Sequence, residues 1–361
     1  MNLLYTDVET DLRASVRDLL SDRAQPTAVL ARCETDEPYD LALWRELTSL
    51  GAASLHVPEE LGGQGASTRE TAVVMEELGR TVAPVPFLGC AVLATSALLG
   101  CKPTDEVRGL LDALGNGSTV ATLAISLATA PGSVTTDVTR TDGGLSGRVR
   151  SVADALPADL LLVPAQGPDG LELHAVSVSQ QGVTIDPVVS LDLTRPVSDV
   201  TLDGADSMLL AGPESAEAAV DSALWTGAGL LASEQLGIAE WCLDTTVAYL
   251  KDRHQFGRPV GSFQALKHRL ADVWQDLVLA RAVARNAADD PGQVSASLAK
   301  SMCSTTAVHA AEEAVQLHGG IGMTWEHPAH LYLKRAKADS IALGTAGRHR
   351  QLLAPHADIL A

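Results

Sequence analysis

Three short stretches of the 361-residue chain carry residue types whose spacing suits chemistry. In residues 252–272, DRHQFGRPVGSFQALKHRLAD, Arg253 and Gly257 stand where one helical pattern ends, and a second pattern begins after Ser262. A guanidinium beside the free N–H groups of a helix start is a cradle for a diphosphate. An ordinary helix–turn–helix with a stray arginine is the blander reading. In residues 314–328, AVQLHGGIGMTWEHP, the glycines at 319, 320 and 322 would let a backbone approach a flat cofactor closely. Most glycine runs of this kind are only turns. The third stretch is ASEQLG, where Glu234 is a candidate general base, a role that needs a carboxylate in a dry pocket. A capped or paired structural carboxylate is the competing reading. Glu59 and Glu60 lie in a Pro/Gly-rich loop and read as solvated.

Other chemistries are poorly supported. The five cysteines are scattered, odd in number and form no CxxC pair, so neither a disulfide framework nor a zinc site is expected and a reducing cytoplasm fits. His327 and His330 are three apart without further ligands, so no metal is expected. His268, His318 and His349 read as structural or surface groups, with His318 also placed to touch a cofactor. No GxGxxG follows a strand. A net charge of −19 would repel a phosphate backbone, which disfavours nucleic acid. The N-terminus shows no basic segment followed by an apolar run, so no secretory signal is expected. The apolar run from Phe87 to Cys101 is too short to span a membrane and reads as a buried helix.

The elements that must position these stretches fall into three regions. Residues 1–117 read as a helical domain: Thr6 is a candidate N-cap for a helix facing Val8, Leu12, Val16 and Leu19 inward, and Ser67 with Glu70 makes a capping-box pattern. Residues 118–212 hold TVATLAI, LLLVPA, LELHAVSV, GVTI and SDVTL. These are short β-branched runs separated by turns such as TDGGLSG, and they predict a small antiparallel sandwich or barrel. Residues 213–361 return to helix and predict a four-helix bundle, starting with a long proline-free run to Arg253 that hints at an oligomer seam. Aromatics are 3% of the chain, so Ala, Leu and Val must fill the core.

Residues 252–272 resemble the acyl-CoA dehydrogenase family. Its R-x-x-F-G and F-Q-x-x-x-x-x-x-A-D elements stand here as Arg253, Phe256, Gly257, Phe263, Gln264, Ala271 and Asp272. Its Q-x-x-G-G-x-G-x-x-x-E-x-P stretch is similar to Gln316, Gly319, Gly320, Gly322, Glu326 and Pro328. VPEELGGQGAS, MEELGR and APVPFLG resemble its N-terminal domain. The resemblance implies the acyl-CoA dehydrogenase fold and FAD as cofactor. It places FAD contacts on Arg253, Gln255, Phe256, Phe263, Gln264, Gln316, His318, Gly319, Gly320 and Thr345, the glycine stretch serving a neighbouring subunit's FAD. It further implies α,β-dehydrogenation of an acyl-CoA or related thioester, electron-transfer flavoprotein as acceptor, and a homo- or heterotetramer.

The match fails at the reaction centre. Members supply the α-proton-abstracting Glu either before a Gly-Thr pair, where this chain has Leu343, or 26 residues before the R-x-x-F-G arginine, where it has Gly227. Glu234 lies seven residues beyond Gly227, roughly 10 Å along a helix and on the same face. The T-E-P-x-x-G-S-D loop survives only as Thr129, Pro131, Gly132 and Ser133, and residues 147–155 lack the tryptophan of W-I-T/S. Trp225 and Ala228 stand where many members hold CoA with Asp and Arg. Three functions remain open: a dehydrogenase using Glu234, a half-site subunit completing a partner chain's FAD site, and a flavin-free protein on the same fold.

Overall fold

A computed structural model describes residues 3–356. The first helical region comprises α1 (Asp7–Arg23), α2 (Pro26–Cys33), α3 (Leu41–Ser49) and α4 (Thr68–Thr81). A buried π-helix, Phe87–Ala94, then runs into α5 (Thr95–Leu99), and α6 is Asp105–Gly115. The capping box expected at Ser67 and Glu70 forms, and Thr6 caps α1 in a second box with Glu9. Each satisfies two orphan N–H groups at a helix start. On α1 the inward stripe is Leu12, Val16, Leu19 and Leu20, whereas Val8 is exposed, one turn too early to reach the core.

The middle region forms an eight-stranded sheet: β1 (Ala121–Leu123), β2 (Thr139–Thr141), β3 (Gly144–Ala153), β4 (Leu160–Gln166), β5 (Leu171–Ser177), β6 (Val183–Val188), β7 (Val197–Ala205) and β8 (Met208–Ala211). The order is β6-β7-β3-β2-β4-β5-β8, with β1 paired to β4. Most pairings are antiparallel, as the short turns demand, but β1 and β2 each run parallel to β4. One face packs a separate apolar cluster that includes Val138, Val152, Leu161, Val163 and Val200.

The last region is α7 (Ala216–Asp252), a small hairpin of β9 (His254–Gln255) and β10 (Arg258–Pro259), then α8 (Gln264–Asp289), α9 (Gln293–His318), α10 (Ala329–Ile341) and α11 (Ala346–Leu353). The 37 residues of α7 extend about 55 Å. Its glycines are sites of close approach. A methyl group at Gly237 would stand 1.9 Å from the Glu76 carbonyl oxygen, and one at Gly79 would stand 2.1 Å from that of Glu234. The crossing of α4 and α7 is therefore backbone against backbone. Small residues carry the remaining contacts, as in the buried Ala280, Ala284, Ala299, Ala307 and Ala311. One continuous core links both helical regions. No helix among the described residues is long and apolar enough to cross a membrane.

Candidate cofactor-binding site

The C-terminal ends of α7 and α9 meet, because the Tyr249 ring stacks on His318 with centroids 4.5 Å apart. This contact brings the two candidate cofactor stretches to one end of the bundle. Beyond α7 the chain turns through β9 and β10, with Gln255 opposite Arg258. Phe256 and Gly257 form the tip, with φ of 55° and 75°. Positive φ at both central residues belongs to a tight hairpin turn, but a bulky residue rarely adopts it. Phe256 is 89% exposed, so the strain supports no internal packing beyond an edge contact with Phe263 at 6.0 Å. Arg258 lies 4.0 Å over the Phe263 ring, and Arg253 is exposed beside it. No side chain caps the start of α8, which leaves its first N–H groups directed at this surface.

Beyond α9, Gly319 has φ 64° and ψ −139°, a conformation open essentially to glycine alone. Gly320 has no positive φ, and a methyl group there would meet nothing within 4 Å. Nothing among the described residues therefore requires glycine at 320. Gln316, Gly319 and Gly320 are exposed, while His318 is buried and donates from Nδ1 to the Ala314 carbonyl at 2.7 Å.

Thr345 lies elsewhere. It N-caps α11, accepting from the Arg348 N–H, and His349 of that helix packs edge-on against Trp225 near the start of α7. The distance from Trp225 to Tyr249 along α7 is roughly 36 Å, so Thr345 is not part of the exposed grip.

Around Thr345 the crevice between sheet and bundle is filled. A methyl group at Gly227 would stand 2.5 Å from Leu93 Cδ2 and 3.0 Å from Leu343 Cδ1, and both leucines are buried. The two positions that supply a base in most family members thus touch one another through aliphatic carbon. The Leu343 N–H donates to the Leu127 carbonyl at 2.7 Å. Its carbonyl accepts from His349 Nε2 at 2.8 Å. Burial pushes His349 down to about 4, which keeps the imidazole neutral. Gly344, at φ 95°, has Ala130 against it: a methyl group would stand 2.9 Å from Ala130 Cβ. Residues 126–134 are tied down further, with the Gly132 N–H on Asp221 and Arg348 on Ser133 at 3.0 Å. Trp225 donates to the other oxygen of Asp221 at 2.9 Å.

Glu234 sits between two guanidinium groups. Arg195 donates to Oε2 at 2.5 Å and Arg335 to Oε1 at 2.6 Å. Burial alone would raise its pKa, but the charges and hydrogen bonds of both arginines outweigh that and lower it. Arg335 also binds Asp192 and Thr194, and Arg195 binds Asp339 at 2.7 Å. Burial and the nearby Glu234 charge push Asp339 up to about 7. All five charged groups of this network are at most 8% exposed, and together they join the β6–β7 connection to α7 and α10. A carboxylate with both oxygens engaged and its proton affinity depressed is poorly suited to abstracting a proton.

The sequence reading had no signal for Leu93, Ala130 or Asp221. The D-x-T-R run at 192–195 was a visible pair of charges in an apolar stretch, and Arg335 with Asp339, four apart on a helix, was a second visible pair. Glu59 and Glu60 are exposed, as expected, and among the described residues no His/Cys/Asp/Glu group is arranged to hold a metal.

With this geometry in view, family membership is direct. Residues 6–105 match the acyl-CoA dehydrogenase N-terminal domain and residues 218–357 its C-terminal domain. This chain belongs to the acyl-CoA dehydrogenase family. It is 39% identical to "Acyl-CoA dehydrogenase IpdE2" of Mycolicibacterium smegmatis, covering 92% of this chain and 93% of that one. Among solved structures, a chain of the Tcur3481–Tcur3483 steroid ACAD (G363A variant) superposes with a TM-score of 0.86. It shares 32% identity and covers 97% of this chain and 99% of that one. A chain of the ChsE4–ChsE5 complex from Mycobacterium tuberculosis gives a TM-score of 0.89 at 28% identity, with full coverage of both.

Proposed function

We propose that this chain is the half-site subunit of a heteromeric acyl-CoA dehydrogenase: it completes the FAD site of a second, catalytic chain and performs no dehydrogenation itself. The observation that carries the reading is the contrast between its two surfaces. The crevice that would hold a base is packed with Leu93, Leu343 and Ala130, whereas the grip formed by Arg253, Phe256, the start of α8 and Gly319–Gly320 is exposed. The residues present fit the diphosphate and adenine end of FAD at the grip, as a guanidinium, free helix N–H groups, an exposed ring and a glycine surface. They do not fit a flavin ring or a thioester in the chain's own crevice. FAD would supply the hydride-accepting chemistry in the partner's site. Arg253 would neutralise phosphate charge, and the Gly320 backbone would admit the close approach that a side chain prevents. Glu234 is a bracing carboxylate in this reading.

Two chains in the names of the 32%- and 28%-identical structures favour a second, different subunit here too, and the steroid name favours a steroid-derived acyl thioester as the complex's substrate. Electron-transfer flavoprotein would take the electrons from the complex, and the scattered free thiols suit a cytoplasmic site. Visible spectroscopy tests the reading. The chain purified alone should be colourless, and co-expression with its partner should give a yellow complex bleached by acyl-CoA. Stoichiometric flavin on the isolated chain, bleached by a thioester, would overturn it.

A further inference from the structure

The turn that carries Gly319 and Gly320 is held by imidazoles. The His318 ring lies between Tyr249 at 4.5 Å and His327 at 4.2 Å. His327 Nδ1 accepts the Ala329 N–H at 3.2 Å, so it anchors the start of α10 through a lone pair. His330, one residue into α10, meets Trp325 edge-on at 4.5 Å, and the Lys334 ammonium stands 4.3 Å over the same indole. His318 Nε2 and both nitrogens of His330 are buried without a hydrogen-bond partner.

Charge has no outlet in this stack. The groups facing it are Tyr249 from α7, the Ala314 carbonyl from α9, Trp325 from the turn and Lys334 from α10. Glu326 is exposed and makes no hydrogen bond to any of the three imidazoles. No carboxylate bonds to them among the described residues. A proton on His327 would set N–H against the Ala329 N–H and place a cation beside two imidazoles, and one on His330 would meet the Lys334 charge.

We propose that His318, His327 and His330 form a proton-gated clasp on the cofactor-binding turn: neutral imidazoles hold residues 319–328 in the shape that receives a partner's cofactor, and their protonation opens it. The link to cofactor rests on the half-site reading; the opening itself does not. Burial and the two neighbouring histidines push His327 down to about 4, from 6.5 when free. Burial likewise lowers His318 and His330. The closed form is therefore favoured above pH 6.5 and loses ground as pH falls towards 4. For His327 alone these values give an opening equilibrium about 20-fold larger at pH 5 than at pH 7.

Hydrogen exchange on the isolated chain reads this without cofactor. After correction for intrinsic exchange rates, amides of residues 319–328 should lose about 20-fold protection between pH 7 and pH 5, while amides in the middle of α7 keep theirs. The His327→Phe/His330→Phe chain, and His327→Gln alone as a milder change that still offers an acceptor to the Ala329 N–H, should lose distinctly less. Equal loss in wild type and double variant, or no loss in wild type, overturns the clasp. In a flavin-loaded heteromer, the pH at which FAD is released should be lower in the double variant than in wild type. If no flavin-loaded heteromer forms, the half-site reading fails and the exchange result still decides the clasp.

Discussion

Replacing Glu234 separates a base from a brace. Its two oxygens meet Arg195 and Arg335 at 2.5 and 2.6 Å in a network at most 8% exposed. Glu234→Ala leaves two guanidinium groups facing a void, with Asp192 and Asp339 as the remaining anions, the latter relieved of the Glu234 charge that raises its pKa. Removing one member of a buried ion pair costs about 3–5 kcal/mol. At about 2.1 cal/mol/K of unfolding entropy per residue, 361 residues unfolding together give about 0.76 kcal/mol/K, so Tm should fall by roughly 4–7 °C. Glu234→Gln keeps the shape and loses the charge, and should fall between that variant and wild type. The assay is calorimetric unfolding of the chain, paired with turnover of the co-expressed complex at a temperature below both transitions. There the brace predicts near-normal kcat. A loss of 10²–10⁴ in kcat, the range of a general base, with Tm unchanged within 1 °C would refute the argument.

Leu343→Glu should not create a dehydrogenase: the new carboxylate would be buried against Leu93 and the backbone of Gly227, so Tm drops and the isolated chain still fails to oxidise a thioester. Gly320→Ala should leave Tm within about 1 °C, because a methyl group meets nothing there, while FAD retention by the heteromer falls about tenfold in equilibrium dialysis. Gly344→Ala should do the reverse, losing about 1–3 kcal/mol through its φ of 95° and the contact with Ala130. His56 and His349 are pushed down to about 4 by burial, against 6.5 when free. Their folded-state pKa values are depressed, so the stability of the neutral forms is full above pH 6.5 and lost as pH falls from 6.5 towards 4. Tm measured across that window should decline, and less steeply in His349→Phe.

The helices were legible because their signals are local. Thr6, Ser67 with Glu70 and a proline-free run before Arg253 mark starts and stops that the structure reproduces within a residue or two. β3 was harder to read: Arg148 and Arg150 point outward and Gly144 and Gly147 interrupt the alternation, so its ten residues lack a strand's apolar rhythm. The π-helix at Phe87–Ala94 reads as any buried helix, since all its residues are apolar or small. The stretches carrying Arg253, Gly257, Gln316 and Gly319 were singled out by their resemblance to the family, and the structure brings them to one end of the bundle. The filling of the crevice was not legible, because Leu93, Ala130 and Leu343 come from three distant segments and ordinary aliphatic residues announce nothing singly. Glu234 shows the same limit: sequence gives its helix face, but its partners lie 39 residues before it and 101 after it.

Glycines tell the two surfaces apart more sharply than charges do. A glycine whose added methyl group would strike its own chain is explained by folding alone. Gly79 and Gly237 are of this kind, at 2.1 and 1.9 Å from the opposing carbonyls, and so is Gly227 at 2.5 Å from Leu93. That last contact is with the far end of the Leu93 side chain, so a carboxylate at 227 requires Leu93 to move, whereas a side chain at 79 or 237 requires the backbone to move. Gly320 is the opposite case. It has no positive φ and open space around its Cα, so neither backbone strain nor packing selects it. Alanine there would strain nothing and would restrict the unfolded chain, a gain of about 0.4–1 kcal/mol, so the half-site reading assigns this glycine to a contact outside the chain. That external constraint lies on the same end of the bundle as an exposed Phe256 in a strained conformation and an uncapped helix start. Three independent costs, each without an internal return, converge on one surface. The proposed binding role would account for all three.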